Sequence, residues 1–239
     1  MKILITGGAG FIGSHLVEEL LGNENEILIF DNYITGKKEN LDISGNFKFI
    51  NDDFGSENSL EEIEKFDPDI CFHLAAQSSV VISVEDPALD FEHNILQPIK
   101  LIQVLLKSNC KKLVFTSSGG TIFGEPTVIP TAEKDYAGEP ESPYGVAKKR
   151  LNELIKIMTK NSNLKYSILN LSNVYGPRQD PHGEAGGVSI FANKYLNNEA
   201  PIIYGDGEQS RDYIYVKDVV SALTKASKIE QNHFLNIGT

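Results

Sequence analysis

The 239-residue sequence predicts an α/β protein with a doubly wound parallel sheet and a small, incomplete C-terminal lobe. Short apolar runs alternate along the chain with longer segments of helical periodicity, the pattern of a parallel sheet covered by helices. The runs are apolar throughout, so we expect both faces of the sheet to be buried. After residue 171 this rhythm gives way to stretches rich in Gly, Pro and Asp, which predicts a smaller second lobe.

Six strands are predicted where short runs are rich in apolar, β-branched or aromatic residues. They cover residues 2–6, 26–30, 47–51, 69–74, 111–117 and 165–171. Helices are predicted between them at 14–22, 56–66, 87–109 and 143–161. Beyond these elements we expect a helix at 187–198, a strand at 201–204 and a helix from residue 216.

This order of elements divides the chain unequally. We expect residues 1–171, with contributions from 212–239, to form the main domain and residues 172–211 to form a partial second lobe. The sequence stops directly after a strand-like run and without a closing helix. We therefore expect the chain to be a trimmed or fragmentary form.

The composition restricts the partners and the compartment. Thirty-three acidic and 22 basic residues give a net charge of -11, which disfavours binding to nucleic acid or to an anionic membrane. Cys71 and Cys110 form no C-x-x-C motif and are predicted to be reduced thiols of a cytoplasmic protein. Neither a signal peptide nor an 18-residue apolar run is present, so we expect neither secretion nor membrane insertion.

A glycine-rich loop follows the first strand directly. Residues 7–13 read GGAGFIG and lead into a helix, a context that predicts a dinucleotide-binding Rossmann domain. Its glycines permit a tight turn, a close approach to a pyrophosphate and close packing of the helix. Asp31 ends the second strand, where a carboxylate binds both ribose hydroxyls and repels a 2′-phosphate. NAD is therefore the predicted cofactor, although Lys37 and Lys38 leave NADP open.

Tyr144 and Lys148 form a candidate acid–base pair. They lie four residues apart in SPYGVAK at 142–148, hence on one face of a predicted helix. A phenol with a pKa of about 10 is a poor base at neutral pH, but a neighbouring ammonium and a cationic nicotinamide stabilise its phenolate. Tyr144 is then able to take a proton from a sugar hydroxyl. Such pairs also occur on solvated helix faces, so the assignment depends on further motifs.

Those motifs run along essentially the whole chain. The sequence resembles the extended short-chain dehydrogenases, specifically the NAD-dependent sugar-nucleotide epimerase and dehydratase family. The resemblance is carried by the glycine loop, Asp31 and the pair Tyr144–Lys148, and by further motifs elsewhere in the chain. These are HLAAQ at 73–77, Asn94, SSGGTIFG at 117–124, NVYGPRQ at 173–179, YGDG at 204–207 and RDYIYVKDV at 211–219.

The resemblance implies NAD as cofactor, a nucleoside-diphosphate sugar as substrate and a homodimer built on the predicted helices 87–109 and 143–161. The implied cofactor-binding residues are Gly7, Gly10, Phe11, Ile12, Gly13, Asp31, Asn32, Thr35, Gly36, Asp53, Phe54, Leu74, Ala75, Ala76, Gln77, Asn94, Ser117, Tyr144 and Lys148. The implied catalytic residues are Ser118, Tyr144 and Lys148. The implied substrate-binding residues are Ser118, Thr121, Tyr144, Asn173, Val188, Tyr204 and Arg211.

Two of these assignments carry a chemical reason. By the resemblance Asp53 and Phe54 hold the adenine, and Arg211 contacts the nucleotide diphosphate, for which its planar fork is suited.

No metal site is expected, since the spacing of Asp180, His182 and Glu184 fits no tetrahedral motif.

The third catalytic group departs from the family pattern. The family places a Ser or Thr where this chain has Gly119. The hydroxyl that binds the sugar must then come from Ser118 or Thr121, and we favour Ser118. Ser118 can alternatively serve only as a cap at the end of its strand.

A second departure concerns the reaction. Gly120 and Thr121 stand where dehydratases of the family carry an Asp-Glu pair and decarboxylases a Glu, and epimerisation needs neither carboxylate. The sequence therefore predicts 4-epimerisation of a nucleoside-diphosphate sugar, specifically UDP-glucose and UDP-galactose. A dehydratase, decarboxylase or reductase of the family is the alternative, and a non-catalytic dinucleotide-binding module is the alternative of another class. Asn170 and Phe123 replace the more usual Arg and Tyr and leave the sugar open.

Overall fold

The computed structural model describes residues 1–22, 24–136, 138–181, 186–203 and 205–239. It contains a seven-stranded parallel sheet with the order β3-β2-β1-β4-β5-β6-β9 and a two-stranded sheet of β7 and β8. The strands are β1 (Lys2–Thr6), β2 (Glu26–Phe30), β3 (Phe47–Ile50), β4 (Ile70–His73), β5 (Lys112–Ser118), β6 (Lys165–Leu171), β7 (Asn173–Tyr175), β8 (Tyr213–Tyr215) and β9 (His233–Ile237).

Helices connect the strands. They are α1 (Phe11–Leu21), α2 (Glu57–Phe66), α3 (Val80–Glu85), α4 (Pro87–Phe91), α5 (Gln97–Leu105), α6 (Pro143–Thr159), α7 (Gly187–Leu196) and α8 (Val216–Ser227). A π-helical turn, Glu92–Leu96, joins α4 to α5, and short 3-10 turns lie at Lys38–Leu41 and Glu133–Asp135. Among the described residues, no helix combines the length and the apolar character needed to span a membrane.

Apolar side chains on the two faces of the large sheet form two separate cores. Leu4 and Phe115 point to the face covered by α2, α5 and α6, whereas Ile5 and Val114 point to the face covered by α1 and α8. Neighbouring strand residues face opposite sides, so strands that are apolar throughout supply both cores at once. The predicted doubly wound parallel sheet is confirmed.

The predicted helix 87–109 is interrupted. Asp86 accepts the N–H of Leu89 and caps the helix that begins at Pro87, the start that the sequence predicts. Further on, Pro98 has no N–H for the carbonyl of Asn94, and the preceding turn adopts π geometry. A missing donor therefore breaks a segment whose apolar periodicity alone indicates one helix.

The predicted strand at 201–204 is wrong for residues 201–203, and Tyr204 lies outside the described residues. Ile202 and Ile203 are exposed and pair with no strand among the described residues. An apolar run that finds no neighbouring sheet edge has no ladder to join. The strands β7 and β8 of the small sheet were not predicted, since three residues each carry too little pattern.

Candidate active site

The glycine loop lies at the carboxyl end of β1, against the segment that follows β4. Gly7 has a φ of +75°, and a Cβ built there would lie 2.7 Å from the backbone nitrogen of Ala75. A Cβ at Gly13 would lie 2.0 Å from the Gly7 carbonyl oxygen. The absence of side chains thus lets α1 begin directly against the loop, with its N-terminus facing the carboxyl edge of the sheet.

Asp31 ties the end of β2 to the glycine loop. Its carboxylate accepts the backbone N–H groups of Ala9 and Tyr33, each at 2.9 Å. Burial raises the pKa of Asp31, and the hydrogen bonds from Tyr33, Ala9 and Gly10 oppose that shift. A Cβ at Gly36 would lie 2.6 Å from Asp31 Oδ1, so the following loop closes tightly over the carboxylate.

Asp53 and Phe54 lie beyond β3. Nδ1 of His93, on the π-helical turn, is 3.5 Å from Asp53 Oδ2. The buried Phe54 ring packs edge to face against His73, with 4.9 Å between the ring centroids. His73 Nδ1 lies 2.7 Å from Thr6 Oγ1, and burial lowers the pKa of His73 to about 3. His73 is therefore a neutral, packed histidine, as the apolar strand around it predicts.

Tyr144 and Lys148 project from the first turns of α6, where the hydroxyl of Ser142 caps the helix by accepting the N–H of Gly145. Both side chains are buried, with exposed fractions of 9% and 3%. The Lys148 ammonium donates to the Thr116 carbonyl at 3.2 Å and lies 5.8 Å from the centroid of the Tyr144 ring. The structure thus brings the predicted pair together at the end of β5.

Both groups of the pair have shifted pKa values. Burial raises the pKa of the Tyr144 phenol to about 12, and a hydrogen bond with Ser118 opposes that rise. Burial lowers the pKa of Lys148 to about 8, and the Asp90 carboxylate opposes that fall. Each shift reflects removal of a charge from water.

Ser118 and Thr121 differ in what they contact. The Ser118 hydroxyl lies close enough to Tyr144 to oppose the rise of its pKa, whereas Thr121 Oγ1 is buried and has no hydrogen-bond partner within the described part of the chain. Gly119 lies between them, with its N–H on the Leu171 carbonyl at 2.8 Å. A Cβ on Gly119 would approach that same carbonyl oxygen to 3.0 Å. The close approach to β6 therefore favours glycine where the family has a hydroxyl residue.

Gln77 and Asn94 are both hydrogen-bonded to Asp90. The carboxamides of both donate to Oδ1 of Asp90 at 2.8 Å, and Asn94 also donates to the Gln77 carbonyl at 2.8 Å. The sequence analysis did not identify Asp90. Its one signal is the spacing of four residues to Asn94, which places both on one helix face.

The remaining predicted substrate residues that the structure describes lie on β7, on α7 and just before β8. Asn173 donates to the Asp212 carbonyl at 3.2 Å, and Arg211 is exposed and donates to the carbonyl of Ser210 at 2.8 Å. Val188 is 40% exposed on α7. Tyr204, His182 and Glu184 lie outside the described residues, and within the described ranges no group of three potential ligands for a metal ion is found.

The residues present fit a dinucleotide. The glycine loop forms a cradle that Cβ atoms would fill, and several buried polar atoms, some of them on the predicted site residues Asn94, Ser117 and Thr121, have no hydrogen-bond partner in the described ranges. Such atoms are rare in proteins and indicate that a polar ligand binds beside them. These atoms include His73 Nε2, Asp90 Oδ2, Asn94 Oδ1, Ser117 Oγ and Thr121 Oγ1.

Comparison with known proteins identifies a family for this chain. Residues 3–238 match the model of the NAD dependent epimerase/dehydratase family. A putative UDP-glucose 4-epimerase of Methanocaldococcus jannaschii is 45% identical over 99% of this chain and 76% of its own length.

Two solved structures are similar over the whole chain. The UDP-glucose 4-epimerase of Thermotoga maritima with UDP-glucose has a TM-score of 0.95 and 44% identity, and the match covers 77% of that chain. The UDP-glucose 4-epimerase of Thermus thermophilus in complex with NAD has a TM-score of 0.91 and 41% identity, and the match covers 78% of that chain. The predicted family and its NAD dependence are thus confirmed: the chain belongs to the NAD dependent epimerase/dehydratase family.

Proposed function

We propose that this protein interconverts UDP-glucose and UDP-galactose by transient oxidation at C4 of the hexose. The observation that carries the proposal is the buried pair of Tyr144 and Lys148 at the end of β5, with Ser118 close enough to oppose the rise of the phenol pKa. The pair Gly120 and Thr121 adds no carboxylate at this place, which favours epimerisation over dehydration and decarboxylation. The relatives named as UDP-glucose 4-epimerases support the choice of sugar.

Three side chains carry out the proton transfer at C4. Tyr144 accepts the proton of the C4 hydroxyl on its phenolic oxygen and returns it after the sugar has turned over in the site. The Lys148 ammonium stabilises the phenolate, and Ser118 orients the sugar hydroxyl through its hydrogen bond. When bound, NAD supplies the hydride acceptor and donor.

The other predicted site residues keep their roles in this proposal. The glycine loop and the N-terminus of α1 would hold the pyrophosphate, and Asp31 the ribose hydroxyls. Asp53 and Phe54 would hold the adenine, and Arg211 the nucleotide diphosphate of the substrate. The burial of Asp31 beside the glycine loop and the exposure of Arg211 toward solvent support these assignments.

Incubation with each UDP-hexose in turn tests the proposal. We expect UDP-glucose and UDP-galactose to give the same equilibrium mixture by proton NMR, without net formation of NADH. Tyr144→Phe is the negative control. A 4-keto-6-deoxy product would show that the protein is a dehydratase and not an epimerase. Bound NAD without reaction on either sugar would favour another nucleotide sugar as substrate, or a non-catalytic binding module.

We also propose that the protein is a homodimer that uses the exposed apolar side chains of α3, α4 and α6. These are Val81, Ile82, Val84, Leu89, Phe91 and Ile157, with Leu96 on the π-helical turn. Val84→Glu with Leu96→Glu should give a monomer by light scattering, whereas Ile129→Glu, an exposed apolar control, should not. An unchanged mass for the double variant contradicts the proposed surface.

We infer further that residues 1–171, completed by 212–239, form the NAD-binding domain and that 172–211 contribute to the substrate lobe. The pairing of β9 with β6 and the packing of α8 on α1 support this division. Two free, buried cysteines, Cys71 and Cys110, support a cytoplasmic location.

A further inference from the structure

Asp90 is a carboxylate with no exposed surface. Its Oδ1 accepts hydrogen bonds from Gln77 and Asn94, each at 2.8 Å. Its Oδ2 has no hydrogen-bond partner among the described residues. A buried and incompletely bonded carboxylate destabilises a fold unless a nearby positive charge offsets the loss of hydration, so its surroundings identify its role.

Those surroundings are the predicted catalytic pair. Asp90 lies on α4, which packs against α6, the helix that carries Tyr144 and Lys148. Burial raises the pKa of Asp90, and the hydrogen bonds from Gln77 and Asn94 and the charge of Lys148 on α6 oppose that rise. The other titratable side chain that acts on Asp90 is His93, on the π-helical turn. His93 is partly exposed and lies 3.5 Å from Asp53, whereas Lys148 has no carboxylate within ion-pair distance among the described residues.

We propose that Asp90 is a positioning residue whose buried negative charge keeps the Lys148 ammonium protonated beside Tyr144, while its Oδ1 holds Gln77 and Asn94 in place. The inference rests on the proposed function for the role of the pair, but the charge relationship is a property of the protein itself. It makes Asp90 the counter-charge that a buried lysine needs at neutral pH.

The direction of the effect follows from the charges. Burial lowers the pKa of Lys148 to about 8 and Asp90 opposes that fall. Removal of the Asp90 charge therefore lowers the pKa of Lys148 further. Asp90 also raises the pKa of Tyr144, so its removal lowers that pKa as well. The alkaline limb of the pH profile, which follows Lys148, should therefore move toward lower pH.

Asp90→Asn removes the negative charge of Asp90. It keeps the size of the side chain and an oxygen that accepts the hydrogen bonds of Gln77 and Asn94. Glu92→Gln is the matched control, since Glu92 is a half-buried carboxylate two residues away whose side chain is 43% exposed. We expect the alkaline limb of kcat/KM to move down by about one pH unit in Asp90→Asn, and not to move in Glu92→Gln. An alkaline limb of kcat/KM that does not move in Asp90→Asn, even with a lower rate, would show that Asp90 has a merely structural role and would overturn the proposal.

A second measurement needs no turnover. Carbon-13 NMR of lysine-labelled protein, with the Lys148 resonance identified by its loss in Lys148→Met, should give a lower Lys148 pKa in Asp90→Asn than in the parent protein. A carbon-13 titration of the Asp90 carboxyl in the parent protein should show that it is ionised at pH 7. A neutral Asp90 overturns the proposal even where Asp90→Asn does not fold. If the parent protein epimerises neither sugar, the proposed function fails while these titrations still decide the role of the charge.

Discussion

The Ser118 hydroxyl lies close enough to Tyr144 to oppose the rise that burial causes in the pKa of the phenol. Ser118 ends β5, and Tyr144 lies in the first turn of α6, 26 residues further along the chain. A hydroxyl therefore acts on the phenol without any contribution from position 119. Glycine at that position is compatible with the role that we propose for Ser118.

Tyr144→Phe should lower kcat by roughly 10²- to 10⁴-fold, because it removes the group that moves the C4 proton. NAD binding should persist, since the ring and its burial are kept. Tyr195→Phe, on an exposed tyrosine of α7, is the control. Steady-state rates for both variants decide the matter, and a near-normal kcat for Tyr144→Phe would remove Tyr144 from the mechanism.

Ser118→Ala should reduce kcat by about 10²-fold, the effect of losing one hydrogen bond to the reacting group. Thr121→Val should reduce it much less, because Ser118 acts on the pKa of Tyr144 and Thr121 is not among the causes of that shift. Comparison of the two rates assigns the third hydroxyl. A larger loss for Thr121→Val than for Ser118→Ala would reverse our assignment.

The pH dependence should carry the signature of Lys148. Its pKa is lowered by burial to about 8, so the ammonium is present below that pH and is lost as pH rises through it. We expect kcat/KM to fall above about pH 8. Lys148→Arg keeps a charge that does not titrate in this range, so its profile should lack this fall despite a lower rate. The same alkaline fall in Lys148→Arg would assign the limb to another group.

Asp31→Ser should weaken NAD binding by about tenfold or more, since a hydrogen bond to a charged group contributes about 1.5–3 kcal/mol. It should also narrow the preference for NAD over NADP, because the charge that repels a 2′-phosphate is gone. Dissociation constants for both cofactors measure the change. Asp42→Ser, on an exposed carboxylate of the same region, should alter neither constant, and an unchanged ratio in Asp31→Ser would contradict the role of Asp31.

Gly13→Ala should destabilise the fold by about 1–3 kcal/mol, the usual effect of overpacking, because its methyl group would lie 2.0 Å from the Gly7 carbonyl oxygen. Gly120→Ala is the matched control, since no atom lies within 4 Å of its added Cβ. Urea unfolding gives both values. Equal stability of the two variants would mean that the turn relaxes without loss.

Much of the large sheet was predictable because each of its first six strands is a short apolar run, and such runs have few alternatives in a parallel sheet. The glycine loop and Tyr144–Lys148 were predictable because backbone approach and helix spacing are local properties. The helix α3 was missed because its six residues carry too little periodic pattern. The sequence also left Ser118 and Thr121 as alternatives, since only the direction of the chain after β5 brings one of them to Tyr144.

Asp90 was missed for a related reason. A single aspartate in a helical segment is ordinarily a solvated residue, and nothing adjacent to it in sequence predicts burial. Only the packing of α4 on α6 excludes water from it. The role that we propose for Asp90 beside Tyr144 and Lys148 is therefore visible in three dimensions alone.

The most direct test of transient oxidation at C4 is the fate of deuterium at that carbon. UDP-glucose labelled with deuterium at C4 should give UDP-galactose that keeps the label, because the hydride leaves and returns within one site without exchange with water. NMR and mass spectrometry of the product in ordinary water measure the retention. Loss of the deuterium to solvent, or inversion accompanied by stoichiometric release of NADH, would contradict the mechanism proposed for Tyr144, Lys148 and Ser118.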